Sequence, residues 1–248
     1  MLFCNRFRVG LGKRNNKMAI ESKEKAILLL GASGGIGAEL LHYLSTRTRF
    51  LLIPTFNENK PENSLLNWFR YDSKAFKTNY LLFESIFEQY EITTVIDATG
   101  AFYASRIQNA SFEEINDVIS TNLTGPLILA KHSQSLMKEG GKLIFLSSVV
   151  GSLSLTGSSV YAASKAGLER AIMSLSPEFS KTGHSICALR LGYMNYGMTY
   201  KIDEVARKKI LENLDNKEFI NIALLGDQIL RIIASECSEI NGRVYEVF

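Results

Sequence analysis

The chain predicts an α/β fold, a doubly wound parallel sheet of about seven strands with helices on both faces. Three observations predict it. From Ala26 onward, short apolar runs alternate with helix-period segments, as βαβ units require. The first apolar run opens directly into a glycine-rich turn and then an amphipathic helix. The 248 residues, 46% apolar, can bury one large core and would be cramped as two; four prolines and no repeat or linker interrupt them. The organisation is therefore a basic extension, residues 1–17, ahead of one domain over 18–248.

The elements follow in order. Ala26–Leu30 is a buried strand, and Ile36, Leu40 and Leu44 at four-residue spacing mark the helix after it. Phe50–Thr55 is a second strand. The stretch from Thr55 to Asp72 is short for a helix plus a strand, so a trimmed or absent helix and a weak strand ending near Asp72 are expected. Thr93–Asp97 is the next strand, and Ser111 with Glu114 forms a capping box before Ile115, Val118 and Ile119. Asn122 falls in a helix beside Gly125-Pro126, a pair that disturbs regular helical hydrogen bonding and leaves backbone groups for water. Lys142–Leu146 and Ser185–Leu191 are strands around a helix that starts near Tyr161 and is expected to end about Ser176, before Pro177. A helix-like stretch, Asp203–Leu214, precedes the final strand Arg243–Val247.

Composition excludes several functions. The net charge of +3 rests on Arg6, Arg8, Lys13, Arg14 and Lys17 in the extension, so no folded basic face for nucleic acid is expected. No apolar run approaches the length that spans a bilayer. Cys4, Cys187 and Cys237 are scattered, as are His42, His132 and His184, so neither disulfides nor a metal site is expected and a cytoplasmic setting fits.

Gly31-Ala32-Ser33-Gly34-Gly35-Ile36-Gly37 lies between the first strand and its helix. Glycines there permit a tight turn and let backbone N–H groups approach a pyrophosphate at the positive end of the helix. The same residues satisfy G-x-S-x-G, the nucleophile elbow of hydrolases. That elbow follows several strands, whereas almost no sheet precedes Ser33, and a phosphate turn accounts for all the glycines. No P-loop motif is present.

Tyr161 and Lys165 stand four apart on one helix face. A nearby ammonium favours phenolate, and is expected to lower the tyrosine pKa for proton exchange with an alcohol. Ser147 and Ser148 close the fifth strand, at the edge where doubly wound sheets bind ligands.

With these residues in place the chain resembles the short-chain dehydrogenase/reductase family from about Ala26 to its C-terminus, which implies a Rossmann fold. Gly31, Gly35 and Gly37 reproduce the family's T-G-x-x-x-G-x-G turn, with Leu30 for the threonine; Asp97-Ala98-Thr99-Gly100 stands where N-N-A-G is usual; Leu191-Gly192 replaces a P-G pair. The resemblance implies an NAD(P)-dependent oxidoreductase exchanging hydride between nicotinamide and a carbonyl or secondary alcohol. It selects Ser148 over Ser147 to hold the substrate oxygen, and makes Tyr161 the general acid or base. Lys165 tunes Tyr161 and bonds the nicotinamide ribose, while Asn122 positions a relay water. Gly31, Ser33, Gly34, Gly35, Ile36, Gly37, Ala98, Gly100 and Gly192 are implied in cofactor binding, with Asp72 on the adenine and Thr199 on the nicotinamide amide. An acid ending the second strand would select NAD; here the strand ends Pro54-Thr55-Phe56-Asn57, and Thr55 and Asn57 with Ser33 suit a phosphate, favouring NADP over NAD. Phe102, Tyr103, Tyr193, Met194 and Met198 are candidates for a substrate pocket, the last three in the stretch that the family uses as a lid. A small-molecule carbonyl or alcohol substrate, a homodimer or homotetramer, and no nucleic-acid or membrane partner complete the expectation. The alternatives are a dinucleotide-binding regulator without turnover, and an epimerase or dehydratase that keeps NAD(P) bound.

Overall fold

The computed structural model describes residues 23–62, 65–197, 208 and 219–248. Seven strands occur among them: β1 (Lys25–Leu30), β2 (Leu51–Phe56), β3 (Phe69–Arg70), β4 (Glu91–Asp97), β5 (Lys142–Ser148), β6 (Ser185–Leu191) and β7 (Val244–Val247). They form one sheet in the order β3-β2-β1-β4-β5-β6-β7, and every neighbouring pair is parallel. The helices are α1 (Gly35–Ser45), α2 (Phe76–Gln89), α3 (Phe112–Ile119), α4 (Gly125–Leu136), α5 (Ser159–Lys181), α6 (Ile222–Ala234) and α7 (Cys237–Ile240).

β1 shows why the pattern works. Ala26, Leu28 and Leu30 join the core beneath α2, α4 and α5, through Phe83, Leu129, Leu168 and Ile172. Ile27 and Leu29 point the other way, to Leu40 and Leu44 of α1 and Leu225 and Ile229 of α6. A strand buried on both faces has no polar alternate, which is why it reads as a continuous apolar run. Each fully buried Leu or Ile contributes about 1.5–3 kcal/mol of transfer free energy.

No helix lies between β2 and β3 among the described residues, as the short spacing predicted. The expected stop before Pro177 is corrected, because α5 runs on to Lys181. Proline has no N–H for the carbonyl four residues back. The Ser176 hydroxyl donates to that carbonyl, Met173 O, at 3.0 Å, so the acceptor stays satisfied.

β2 and β4 flank β1, so the chain reverses its direction of travel there. The carboxyl ends of β1 and β4 consequently diverge into a crevice.

Candidate active site

The crevice is a cleft of about 1000 Å³, open mouth included, lined from three sides. Gly34, Gly35 and Ile36 form one wall, Ala98, Thr99 and Gly100 the floor, and Ser148, Tyr161 and Lys165 the opposite wall.

The glycine wall is made by backbone. Gly31 leaves β1 at φ +73°, and a Cβ on Gly37 would stand 2.1 Å from the Gly31 carbonyl oxygen. These two glycines shape the turn and do not line the cleft. Thr55 is corrected from a phosphate contact to a brace, since it is fully buried and its Oγ1 accepts the Gly31 N–H at 3.1 Å. Ser33 is exposed, and its N–H donates to the Thr55 carbonyl at 3.3 Å. α1 then starts at Gly35, where the first N–H groups have no partner inside the helix and present an anion site. A Cβ on Gly35 would meet Gly197 N and Cα at 2.4 Å, so the loop after β6 rests directly on this turn.

At the end of β4 the Asp97 carboxylate accepts from the Thr99 N–H at 2.9 Å and the Thr99 hydroxyl at 2.6 Å, which folds the floor into a tight turn. Burial pushes the Asp97 carboxyl up, and the two Thr99 bonds and Lys165 oppose it. Asn122 lies in a π-helical turn, Ser120–Thr124, the disturbed helix that the sequence predicted. Its side chain does not line the cleft. Oδ1 accepts from Ala101 N at 2.9 Å, while Nδ2 donates to Ala101 O at 2.8 Å and Ser164 Oγ at 3.1 Å. The Asn122 amide therefore clamps the floor loop to α5. The Ser164 hydroxyl passes the link to the Tyr161 carbonyl at 2.7 Å. Pro126 lacks the N–H that would give the Asn122 carbonyl its α-helical bond.

On the opposite wall Ser148 and Tyr161 line the cleft together, and Phe102 meets the Tyr161 ring edge-on at 5.1 Å between centroids. Burial raises the Tyr161 phenol above its ordinary range, the Ser148 bond opposes this, and Tyr193 raises it further. The sequence expects Lys165 to lower this pKa; here the phenol is raised, with burial the largest cause. The Lys165 ammonium sits 5.8 Å from the Tyr161 ring centre and donates to the Leu146 carbonyl at 2.9 Å. Desolvation brings Lys165 itself down to about 8, against Asp97 and Glu169, which raise it.

Gly192, Tyr193 and Met194 line the mouth with Tyr196, from the stretch expected as a lid, and with Val150, which sequence reasoning missed. Tyr103 is turned away, its hydroxyl donating to Asp117 at 3.1 Å. Met198 and Thr199 lie outside the described residues, as does most of the Asp203–Leu214 stretch. Asn57 and Asp72 are outside the cleft lining. The Asp72 carboxylate accepts from Lys74 N at 2.9 Å, and the Asn57 carbonyl accepts from Arg70 Nε at 3.2 Å. Arg70 was missed because it belongs to the neighbouring strand β3. Among the described residues no cluster of His, Cys, Asp and Glu could hold a metal, and no helix is long and apolar enough to cross a membrane.

Comparison with known proteins agrees with this geometry. The model of the short chain dehydrogenase family matches residues 25–206. The 3-oxoacyl-[acyl-carrier-protein] reductase FabG of Escherichia coli is 27% identical over 240 residues, covering 90% of this chain and 98% of the relative. Its namesake in Rickettsia prowazekii is 30% identical over 214 residues, covering 79% and 83%. Among solved structures, BdcA in complex with NADPH superposes with a TM-score of 0.82 at 18% identity, covering 91% of this chain and 93% of that one. A short chain dehydrogenase from Burkholderia cenocepacia in complex with NADP gives 0.81 at 17%, covering 90% and 96%.

Proposed function

The chain belongs to the short-chain dehydrogenase family and is an NAD(P)-dependent oxidoreductase, and on that premise we propose that Ser148, Tyr161 and Lys165 perform carbonyl reduction in the cleft facing the glycine turn. The observation that carries this is the convergence of those three side chains on one cavity whose other wall is Gly34, Gly35 and Ile36. The dinucleotide fits there, because the turn is shaped where a Cβ on Gly37 would collide with Gly31, and the free N–H groups of α1 face the cleft. Bound nicotinamide supplies the hydride.

The protein's part is proton delivery and orientation. A phenol raised by burial stays protonated through neutral pH, which suits Tyr161 to donating a proton to a carbonyl oxygen. Ser148, which lines the cleft with Tyr161, is placed to donate to the same oxygen. Lys165, held on the Leu146 carbonyl, brings a buried cation to the cleft and is the residue for the nicotinamide ribose. Asn122 acts by fixing α5 against the floor loop.

NADP is the cofactor favoured over NAD. No acid ends β2, and Arg70, through its bond to the Asn57 carbonyl, carries a guanidinium to that edge near exposed Ser33. The NADP and NADPH complexes among similar structures support the same reading. Besides Lys165, the described cleft lining is uncharged and rich in aromatic and apolar groups, so the substrate is a carbonyl compound uncharged around its reacting centre. The 3-oxoacyl thioesters that relatives are named for belong first in a substrate panel. Leu127 and Met173 stay exposed on α4 and α5, in keeping with a homodimer or homotetramer built on those helices.

The test is NADPH and NADH consumption over that panel, with binding of each cofactor measured alongside. Turnover that Tyr161→Phe abolishes while NADPH still binds supports the proposal. Equal turnover by both proteins overturns it. A wild type that binds NADPH but turns nothing over favours the regulator.

A further inference from the structure

One helical turn beyond Lys165, Glu169 is only 8% exposed. Its Oε1 accepts from the Ser147 hydroxyl at 2.8 Å and from Arg190 Nε at 3.1 Å, and its Oε2 accepts from Arg190 Nη2 at 2.6 Å. Arg190 Nη1 continues to Glu246 on β7 at 3.0 Å. Ser147 immediately precedes Ser148, and Arg190 immediately precedes Leu191 and Gly192 of the cleft lining. One carboxylate therefore joins the helix that carries Tyr161 and Lys165 to the strand ends that carry Ser148 and the mouth of the cleft.

Stability alone does not explain such a group. Replacing a buried ion pair by apolar residues of similar volume is often neutral or stabilising, because desolvation offsets the attraction. What the pair supplies is direction, since a bidentate guanidinium–carboxylate contact admits one orientation. We propose that Glu169 is a positioning residue that locks the Tyr161–Lys165 helix to the Ser148 strand and whose charge keeps the buried Lys165 ammonium protonated.

The charges around Lys165 make the second part testable. From β4 it faces Asp97, whose register partner Phe145 adjoins Leu146, and from its own helix it faces Glu169. β5 offers the Leu146 carbonyl, and Tyr161 is a neutral phenol. Arg190 of β6 and Glu246 of β7 enter through Glu169. Lys165 stands at about 8 as the balance of burial, which lowers it, and of Asp97 and Glu169, which raise it. Glu169→Gln deletes one of the two opposing charges and leaves Arg190 less compensated, so Lys165 should release its proton at still lower pH.

The first readout needs no turnover. In the full chain without cofactor, the Cε signal of Lys165 is followed by NMR against pH, assigned by its absence in Lys165→Met. Glu169→Gln should move that titration to lower pH, and an unmoved titration overturns the charge role. If Glu169→Gln does not fold, Arg190→Met, which frees the carboxylate from its cation, should move the titration upward; an unchanged or lowered one overturns the proposal equally. The locking role is read in Ser147→Ala, which keeps every charge: kcat should fall about threefold with NADPH affinity and the Lys165 titration unchanged. Unchanged kcat sinks the lock. The inference rests on the proposed reaction only in this kinetic arm, and a wild type inactive on every carbonyl would count against that reaction and leave the titration decisive for Glu169.

Discussion

The two walls of the cleft are built by opposite means. On the glycine side Gly34 and Gly35 face the cavity with backbone, beside Ile36, and the turn behind them holds its shape because side chains are absent: Gly31 takes a left-handed φ and Gly37 returns within contact of it. On the tyrosine side the backbone is ordinary helix and strand, and shape comes from two sets of side-chain bonds, Asn122 to Ser164 and on to the Tyr161 carbonyl, and Ser147 and Arg190 to Glu169. A wall of the first kind fails by steric collision, which costs binding and stability together. A wall of the second kind can lose one group and keep its form, so its failures should fall on turnover.

The strongest attempt to break that contrast is Tyr161→Phe. It should lower kcat about a thousandfold, equivalent to about 4 kcal/mol of barrier, while leaving NADPH affinity within about twofold. Lost affinity, seen by nicotinamide fluorescence titration, would mean that the tyrosine also shapes the wall. Next comes Gly37→Ala, whose methyl would stand 2.1 Å from the Gly31 carbonyl oxygen. About 3 kcal/mol or more of destabilisation in urea unfolding is expected, with NADPH binding lost in whatever stays folded. A well-tolerated alanine there would remove the steric half of the comparison.

Lys165→Met sharpens it. Turnover should vanish, yet the protein should gain about 1–3 kcal/mol near neutral pH, since a desolvated ammonium gives way to an apolar side chain. Lys165 holds its proton less tightly in the folded protein, near 8, than the ordinary 10.5 of an unfolded chain. Between those values the unfolded chain binds more protons, so wild-type stability climbs with pH across the window and its cost is fully present below it. The variant should flatten that climb, and urea midpoints measured across the window would reveal it. The smallest effect is expected from Thr55→Val, which removes the acceptor of the Gly31 N–H. Roughly 1 kcal/mol of stability and a few-fold weaker NADPH binding should follow, with kcat unchanged. A kcat defect would show that the walls communicate.

Much of this was legible in the sequence. The strands announce themselves as apolar runs because a parallel sheet is buried on both faces, and the Gly31–Gly37 turn does so because only glycines satisfy its backbone. Ser148, which the family resemblance selected, meets Tyr161 and Lys165 in the cleft, with Ser147 beside it. What was not legible depends on contacts between distant segments. Whether Thr55 faces a phosphate or the Gly31 N–H is decided by how β2 sits against β1, and no local pattern carries that. Asn122 was rightly placed in a disturbed helix, but the partners of its amide, Ala101 and Ser164, lie 21 and 42 residues away. The raised Tyr161 phenol was not legible for the same reason, since burial is its largest cause and the Lys165 ammonium is engaged by the Leu146 carbonyl. α5 outran Pro177 because a neighbouring hydroxyl filled the gap that proline leaves.

The contact of Gly35 with Gly197 makes two positions 162 residues apart a single steric unit. The constraint is one-sided: a side chain on Gly35 drives into the Gly197 backbone, whereas a Cβ on Gly197 would meet Ile36 and Gly35 only at 3.7–3.9 Å and is opposed instead by a left-handed φ of +62°. A side chain at residue 35 is then expected to require a displaced loop at residue 197, while a library that varies residue 197 with Gly35 fixed is limited by backbone conformation and not by space.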